Sequence, residues 1–168
     1  MISVRGARAG ERDAILAIHR AGFGRESEAD LCARLMGDGA LALSLVAEVE
    51  NRAVGHVALS PVTLPGPAGP RLLGLGPIAV DPARQGTGIG SALMRAGLAA
   101  AREAGWAGVV LLGDPAYYGR FGFAPAAGFG LSCPWDVPDE HFMAVELAPG
   151  ALAGARGRVL YHPAFEPD

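Results

Sequence analysis

Apolar and polar positions change period several times along these 168 residues, and each change predicts an element. Ile2 to Arg8 alternates weakly, as a first strand does. From Glu11 to Phe23 the period becomes helical. Ile15, Ile18 and, one turn on, Gly22 or Phe23 share a face, while Arg12, Asp13 and Arg20 are polar. Gly22 and Gly24 end that helix. Ser27 is placed to cap a second helix, Glu28 to Met36, with Leu31 and Leu35 one turn apart, and Gly37-Asp38-Gly39 stops it. Leu41 to Glu50 and Ala53 to Leu59 read as a hairpin around Glu50-Asn51-Arg52. Ser60 to Pro70 holds four prolines and two glycines and reads as an irregular, mobile surface loop. Leu72 to Val80 is the next strand; its Gly74, Gly76 and Pro77 suggest a bulge or a place where a ligand approaches.

Beyond it, Ser91 to Gly105 is a long helix. Gly108 to Leu112 is a strand buried on both faces, and Pro115 to Arg120 is a short helix. Phe129 to Pro138 is loop-rich. His141 to Leu147 is a final strand with Phe142, Val145 and Leu147 apolar, and Pro149 to Asp168 reads as an appendage on the domain surface.

The stretch Val80-Asp81-Pro82-Ala83-Arg84-Gln85-Gly86-Thr87-Gly88-Ile89-Gly90-Ser91 joins a strand to a helix through glycines. A helix that begins this way offers unpaired backbone N–H groups and the positive end of its dipole, which suits a phosphate or pyrophosphate. Glycine lets that backbone come close to a ligand. Three ligand classes compete. A P-loop requires a lysine, and all fourteen basic residues here are arginine, so it is excluded. A dinucleotide fingerprint requires G-x-G-x-x-G near the first strand, with an acid about 20 residues on. Here the glycines lie mid-chain, Leu93 stands where the third glycine belongs, and Glu103 falls inside the same helix. The third class is coenzyme A. Gln85-Gly86-Thr87-Gly88-Ile89-Gly90 matches Q-x-x-G-x-G and resembles the acetyl-CoA pyrophosphate motif of the GNAT superfamily of N-acetyltransferases. Tyr118-Gly119-Arg120-Phe121-Gly122-Phe123 is similar to the Y-x-x-x-G-F that follows the next strand and short helix in that family. Gly113 to Tyr118, Gly130 to Glu140, Phe142, Glu146-Leu147 and Pro149-Gly150 resemble a bacterial subgroup of small predicted N-acetyltransferases.

The resemblance implies an α/β (α+β) fold, a mixed and mostly antiparallel central sheet with helices on both faces, in a single acetyltransferase domain over residues 1–168. It implies acetyl-CoA as cosubstrate, no metal, and transfer of an acetyl group to a primary amine. The cofactor-binding residues it implies are Ile78, Ala79, Val80, Arg84, Gln85, Gly86, Thr87, Gly88, Ile89, Gly90 and Ser91. The backbone of Gly86 to Ser91 forms the cradle; Arg84 and Gln85 add side chains, Arg84 reading equally well as a solvated charge. Ile78 to Val80 would pair with the pantetheine amides as an extra strand does, and a backbone N–H near Ile78 would be the oxyanion donor. Tyr118 matches the family tyrosine that protonates the departing thiolate; Tyr117 lacks the spacing. A phenol, with a pKa near 10, is suited to that donation.

The general base is not carried over, because Leu72 to Val80 contains no acid. Glu26, Glu28, Glu48 and His56 are the candidates; His56, among apolar residues, reads first as a satisfied core histidine, and Glu28 as a charge at a helix start. A base acting through water, or an amine arriving deprotonated, serves as well. Asp136 and His141 flank the last loop as candidates for shaping an acceptor pocket.

Composition narrows the partners. With 51% hydrophobic residues the chain can build a core, and a net charge of −3 without a basic run gives no field for nucleic acid. Two cysteines far apart and four scattered histidines make no metal spacing and no disulfide framework, which fits a reducing cytoplasm. No leader pattern or membrane-length apolar run is present. Dimers are common in the family, and in this chain the extended last strand or the tail is a candidate interface for a homodimer. A different class also fits: a coenzyme A-binding module with little turnover, kept open by the missing strand acid. A peptide or ribosomal-protein acetyltransferase is a third.

Overall fold

The structure, a computed structural model, describes residues 1–66 and 69–166. Its elements follow in order: β1 (Ile2–Gly6), α1 (Arg12–Phe23), α2 (Ser27–Gly37), β2 (Leu43–Val49), β3 (Arg52–Val62), β4 (Leu72–Val80), α3 (Ile89–Glu103), β5 (Gly108–Leu112), α4 (Pro115–Tyr118), β6 (Ala124–Pro125), β7 (Leu131–Ser132), β8 (Phe142–Glu146) and β9 (Gly157–Arg158). Seven strands form a sheet in the order β1-β2-β3-β4-β5-β8-β6, mixed but mostly antiparallel, and β7 and β9 form a small second sheet. The α/β architecture expected from the resemblance is the one observed.

Two compact units make up the chain: Met1–Ser60 with Leu75–Ala99, and Pro61–Gly74 with Ala100–Asp168. In the first unit β1 and β2 pair antiparallel, as do β2 and β3. The turn between β2 and β3 puts Glu50 at φ 53° and Asn51 at φ 64°. Two consecutive positive-φ residues give the twist a tight hairpin needs, and asparagine tolerates that conformation better than glutamate does. Helix α1 ends at Gly24, whose φ of 66° lets its N–H reach the Arg20 carbonyl. Ile15, Leu16, Cys32 and Val46 form a core between α1, α2 and β2. Ser27 does not cap α2 as expected. Glu26 holds the N-cap position without a side-chain cap bond, and Ser27 is the first helical residue.

In the second unit β5 runs parallel to β4 over Leu72–Gly74 and antiparallel to β8 over its whole length. Four expectations change here. Ser60, Pro61 and Val62 belong to β3 rather than to a loop, and Thr63 exchanges both backbone hydrogen bonds with Leu160 at 2.9 Å. Pro67 and Ala68, in the remainder of that expected loop, lie outside the described residues. Leu112 is 42% exposed, so β5 is not buried on both faces to its end. Gly74 is not an approach for a ligand: a Cβ there would stand 2.8 Å from Tyr161 Cε2, so the glycine makes room for that ring.

The tail is not an appendage either. Leu152, Ala155 and Val159 pack with Val62, Leu72, Val110, Phe142 and Ala144 in one core. Burying a leucine or valine side chain such as Leu152 or Val159 stabilises by roughly 1.5–3 kcal/mol, so the tail is part of what holds this unit folded. Gly130, at φ 78°, permits the close passage: a Cβ on it would lie 2.9 Å from the Ala155 carbonyl oxygen.

Candidate functional site

In the first unit β4 delivers the chain to the glycine-rich turn. The Asp81 N–H donates to the Val54 carbonyl at 2.8 Å, fixing the strand end to β3. Asp81 Oδ1 accepts from the Ala83 N–H at 3.0 Å and caps the 3-10 turn Pro82–Arg84. The Gln85 amide donates to the Val80 carbonyl at 3.2 Å, and the Thr87 hydroxyl donates to the Arg84 carbonyl. Gln85 and Thr87 therefore spend these side-chain donors on shaping the turn. Gly86 at φ 79° and Gly88 at φ 91° adopt a backbone that L side chains rarely take.

The space in front of the turn is open. Among the described residues, a Cβ built at Gly86 meets nothing within 4 Å, and one at Gly88 meets only Ile2 Cδ1 at 4.0 Å. Behind it the packing is tight. Ile89 is 2% exposed, and a Cβ on Gly55 of β3 would lie 3.0 Å from both Ile89 Cγ2 and Leu93 Cδ1. Helix α3 is thus pressed onto β3 while residues 85–88 stay exposed at its N-terminus. The N–H groups of the first helical turn have no intrahelical acceptor, and the dipole adds positive potential. An open glycine turn ahead of a firmly seated helix is a backbone cradle that fits a pyrophosphate. Ala79 is buried, Ile78 and Val80 half-buried. Gly22 of α1 packs on this strand end, since a Cβ there would lie 3.1 Å from the Val80 carbonyl oxygen.

Tyr118 belongs to the second unit. Asp114 Oδ1 accepts from the Ala116 N–H at 2.9 Å, Pro115 takes the first position of α4, and the Tyr118 N–H reaches the Asp114 carbonyl. The ring lies over Gly113 in the space a Cβ would occupy, with Tyr117 edge-on at 4.9 Å and Phe123 at 6.3 Å. Gly122, at φ 93°, closes the following turn. Burial, with a smaller push from Tyr117, holds the Tyr118 phenol above its ordinary value. It stays protonated at neutral pH and so carries a proton that it can give. Tyr117 instead carries the Arg120 guanidinium 4.6 Å above its ring.

The base candidates are each engaged. Arg20 Nε donates to both Glu26 oxygens at 2.7 and 2.9 Å. Arg25 binds Glu28, and that hydrogen bond keeps the carboxyl below its ordinary pKa. Glu48 accepts from Arg5, which also grips Glu11. His56 is a buried core histidine: burial first, then His19, pushes its pKa down to about 3. A group so weakly basic accepts few protons at neutral pH. Asp136 and His141 are exposed.

The histidines are not all scattered, contrary to the sequence-based expectation. His19 Nε2 and His56 Nδ1 are 2.8 Å apart, and Cys32 stands beside them. Separations of 37 and 24 positions along the chain leave no local spacing to read; only the helical phase of His19 and Cys32, which places both on buried faces, hinted at it.

The fold, the glycine turn and the tyrosine segment define a class: the chain belongs to the Acetyltransferase (GNAT) family, whose model matches residues 12–123. Members of that family are acetyl-CoA-dependent acyltransferases, and their reaction needs no metal. Among particular proteins it is similar to YhbS of Escherichia coli K12, named an uncharacterized N-acetyltransferase. The two are 42% identical over 150 residues, 89% of each chain. The crystal structure of Escherichia coli YhbS in complex with CoA superposes with a TM-score of 0.91 at 39% identity, covering 98% of this chain and 91% of that one. A GNAT acetyltransferase from Brucella melitensis, solved with acetyl-CoA, gives 0.82 at 37% identity over 99% of both chains. Among the described residues no helix is long and apolar enough to cross a membrane.

Proposed function

We propose that this chain transfers the acetyl group of acetyl-CoA to a primary amine, of a small molecule or of a peptide or protein, by direct attack on the thioester. The observation that carries this is the open, positive-φ glycine turn seated ahead of α3. Residues 1–168 act as one acetyltransferase domain. The free thiols Cys32 and Cys133 suit a cytoplasmic setting.

In this reading the N–H groups of Gly86 to Ser91 bind the pyrophosphate, with Arg84 and Gln85 at its margin. The backbone of Ile78, Ala79 and Val80 pairs with the pantetheine amides, and an N–H there steadies the thioester oxygen as it gains charge. Attack forms the C–N bond and breaks the C–S bond. Tyr118 gives its proton to the departing sulfur. The amine proton passes to water, since the candidate carboxylates Glu26, Glu28 and Glu48 are tied to arginines. The expected test is Tyr118→Phe with an amine that the unmodified protein acetylates. The turnover number should fall about 10²-fold, the scale of general acid catalysis, while acetyl-CoA affinity holds. Equal turnover would remove Tyr118 from the mechanism.

The same engaged carboxylates favour a second reading, a coenzyme A-binding module with little turnover. It is distinguished by CoA binding without acetylation of any amine in a panel spanning small amines and peptide N-termini.

A further inference from the structure

Within the first unit, α1, α2 and β3 converge on four donors that acetyl transfer does not use. His19, Cys32 and His56 are each 0% exposed. One ligating atom from each lies within 4.8 Å of the others. The Cys32 Sγ also stands 3.9 Å from the Met36 Sδ, one turn further along α2. Ser44 Oγ lies 2.8 Å from His56 Nε2, which leaves His56 Nδ1 facing His19. The other nitrogen of His19, Nδ1, is buried with no hydrogen-bond partner among the described residues. A core built only for packing has little use for a polar atom left in that condition.

We propose that His19, Cys32 and His56, with Met36 as a weaker fourth donor, bind a soft monovalent metal ion of the copper(I) type. The donor set chooses the ion. A thiolate and a thioether together select copper(I), whereas zinc draws on thiolate, imidazole and carboxylate and leaves thioethers aside. Charge points the same way. A monovalent ion against one thiolate leaves this buried set neutral, while a divalent ion leaves a net positive charge in a dry site, which is costly.

Protons balance as the ion enters. The Cys32 thiol releases its proton to solvent as sulfur binds the metal. The proton shared by His19 Nε2 and His56 Nδ1 moves to His19 Nδ1, the atom with no present partner, and both facing nitrogens become ligands. Ser44 then holds the outer nitrogen of His56, the orienting role that a hydroxyl or carboxylate plays behind many metal-bound imidazoles. The rings must part modestly. Two nitrogens each about 2.0–2.1 Å from a tetrahedral ion are roughly 3.3 Å apart, against the 2.8 Å of the present hydrogen bond.

The experiment is an anaerobic titration of the full chain with copper(I) held by a chromophoric competitor such as bicinchoninate. One copper(I) per chain should be withdrawn from the competitor. Cys32→Ala should weaken that at least 100-fold, Met36→Leu about tenfold or less, and Cys133→Ala should leave it unchanged. Zinc(II) should bind at least 100-fold more weakly. No withdrawal, or withdrawal untouched by Cys32→Ala, overturns the site, and equal affinity for zinc overturns the choice of ion. Should Cys32→Ala fail to fold, silver(I), a copper(I) surrogate, is added to the unmodified protein. The imidazole nitrogen resonances of His19 and His56 should shift, and resonances that stay put refute the proposal.

Discussion

The glycine turn and the buried histidine pair lie in the same unit and are built in opposite ways. The turn is contiguous, exposed and made of backbone; its side chains fix its shape, and its candidate ligands are N–H groups. The pair is assembled from α1 and β3, fully buried, and made of side chains whose hydrogen bonds account for all but one ring nitrogen. Each site is therefore vulnerable in its own way. A backbone site fails when something fills its space. A side-chain site fails when one partner is removed and the other is left buried without it.

The largest expected effect follows from filling the turn. Gly88→Glu puts bulk and a negative charge on a φ of 91° facing open space. Affinity for CoA should fall more than 100-fold, ~3 kcal/mol, by calorimetry. Thr87→Ala, which removes only a turn-shaping hydroxyl, should cost less than about threefold, ~0.6 kcal/mol. Comparable losses from both would erase the distinction between the two kinds of site.

Next comes the pair. His56→Leu removes the partner of both Ser44 and His19 and leaves a buried ring nitrogen unpaired, so chemical denaturation should show a loss of about 2–3 kcal/mol. A near-neutral result would mean the pair contributes only volume.

Gly113→Ala is a smaller lever on Tyr118, because the new methyl takes the space of its ring. Turnover should drop about tenfold, ~1.4 kcal/mol, with CoA affinity retained. If turnover is untouched, the position of that ring does not matter to the reaction.

The smallest effect is electrostatic. The hydrogen bond from Arg5 holds Glu11 at about 2, below its ordinary 4.5. A carboxyl depressed on folding stabilises above its unfolded value, and that contribution disappears as pH falls through the folded one. Between pH 4.5 and 2, Glu11→Gln should therefore lose less stability than the unmodified chain. After allowance for solvent screening the difference is about 1 kcal/mol. Parallel pH curves in that window would contradict it.

How much was legible follows from the same contrast. The strand–turn–helix around Gln85 to Gly90 reads directly, because local glycines set it and a contiguous motif carries it. The β2–β3 hairpin reads because two strand-like runs flank the short polar turn Glu50-Asn51-Arg52. The segment Gly113 to Phe123 is legible as an element, though nothing local says that Gly113 makes room for the Tyr118 ring. Gly74 stands out as odd in a strand, but its reason, Tyr161, lies far along the chain. The tail reads as an appendage because its buried residues, Leu152, Ala155 and Val159, are separated by glycines and arginines that mask any period. His19, Cys32 and His56 are invisible as a group because only the packing of two helices on a strand brings them together.

The proposed function stands or falls with the turn ahead of α3 as a coenzyme A cradle. Its most direct test is calorimetric titration of the unmodified chain with acetyl-CoA, CoA and NAD. Both CoA species should bind one per chain, and NAD should not. Absence of binding by either CoA species, or binding of NAD in their place, would contradict it.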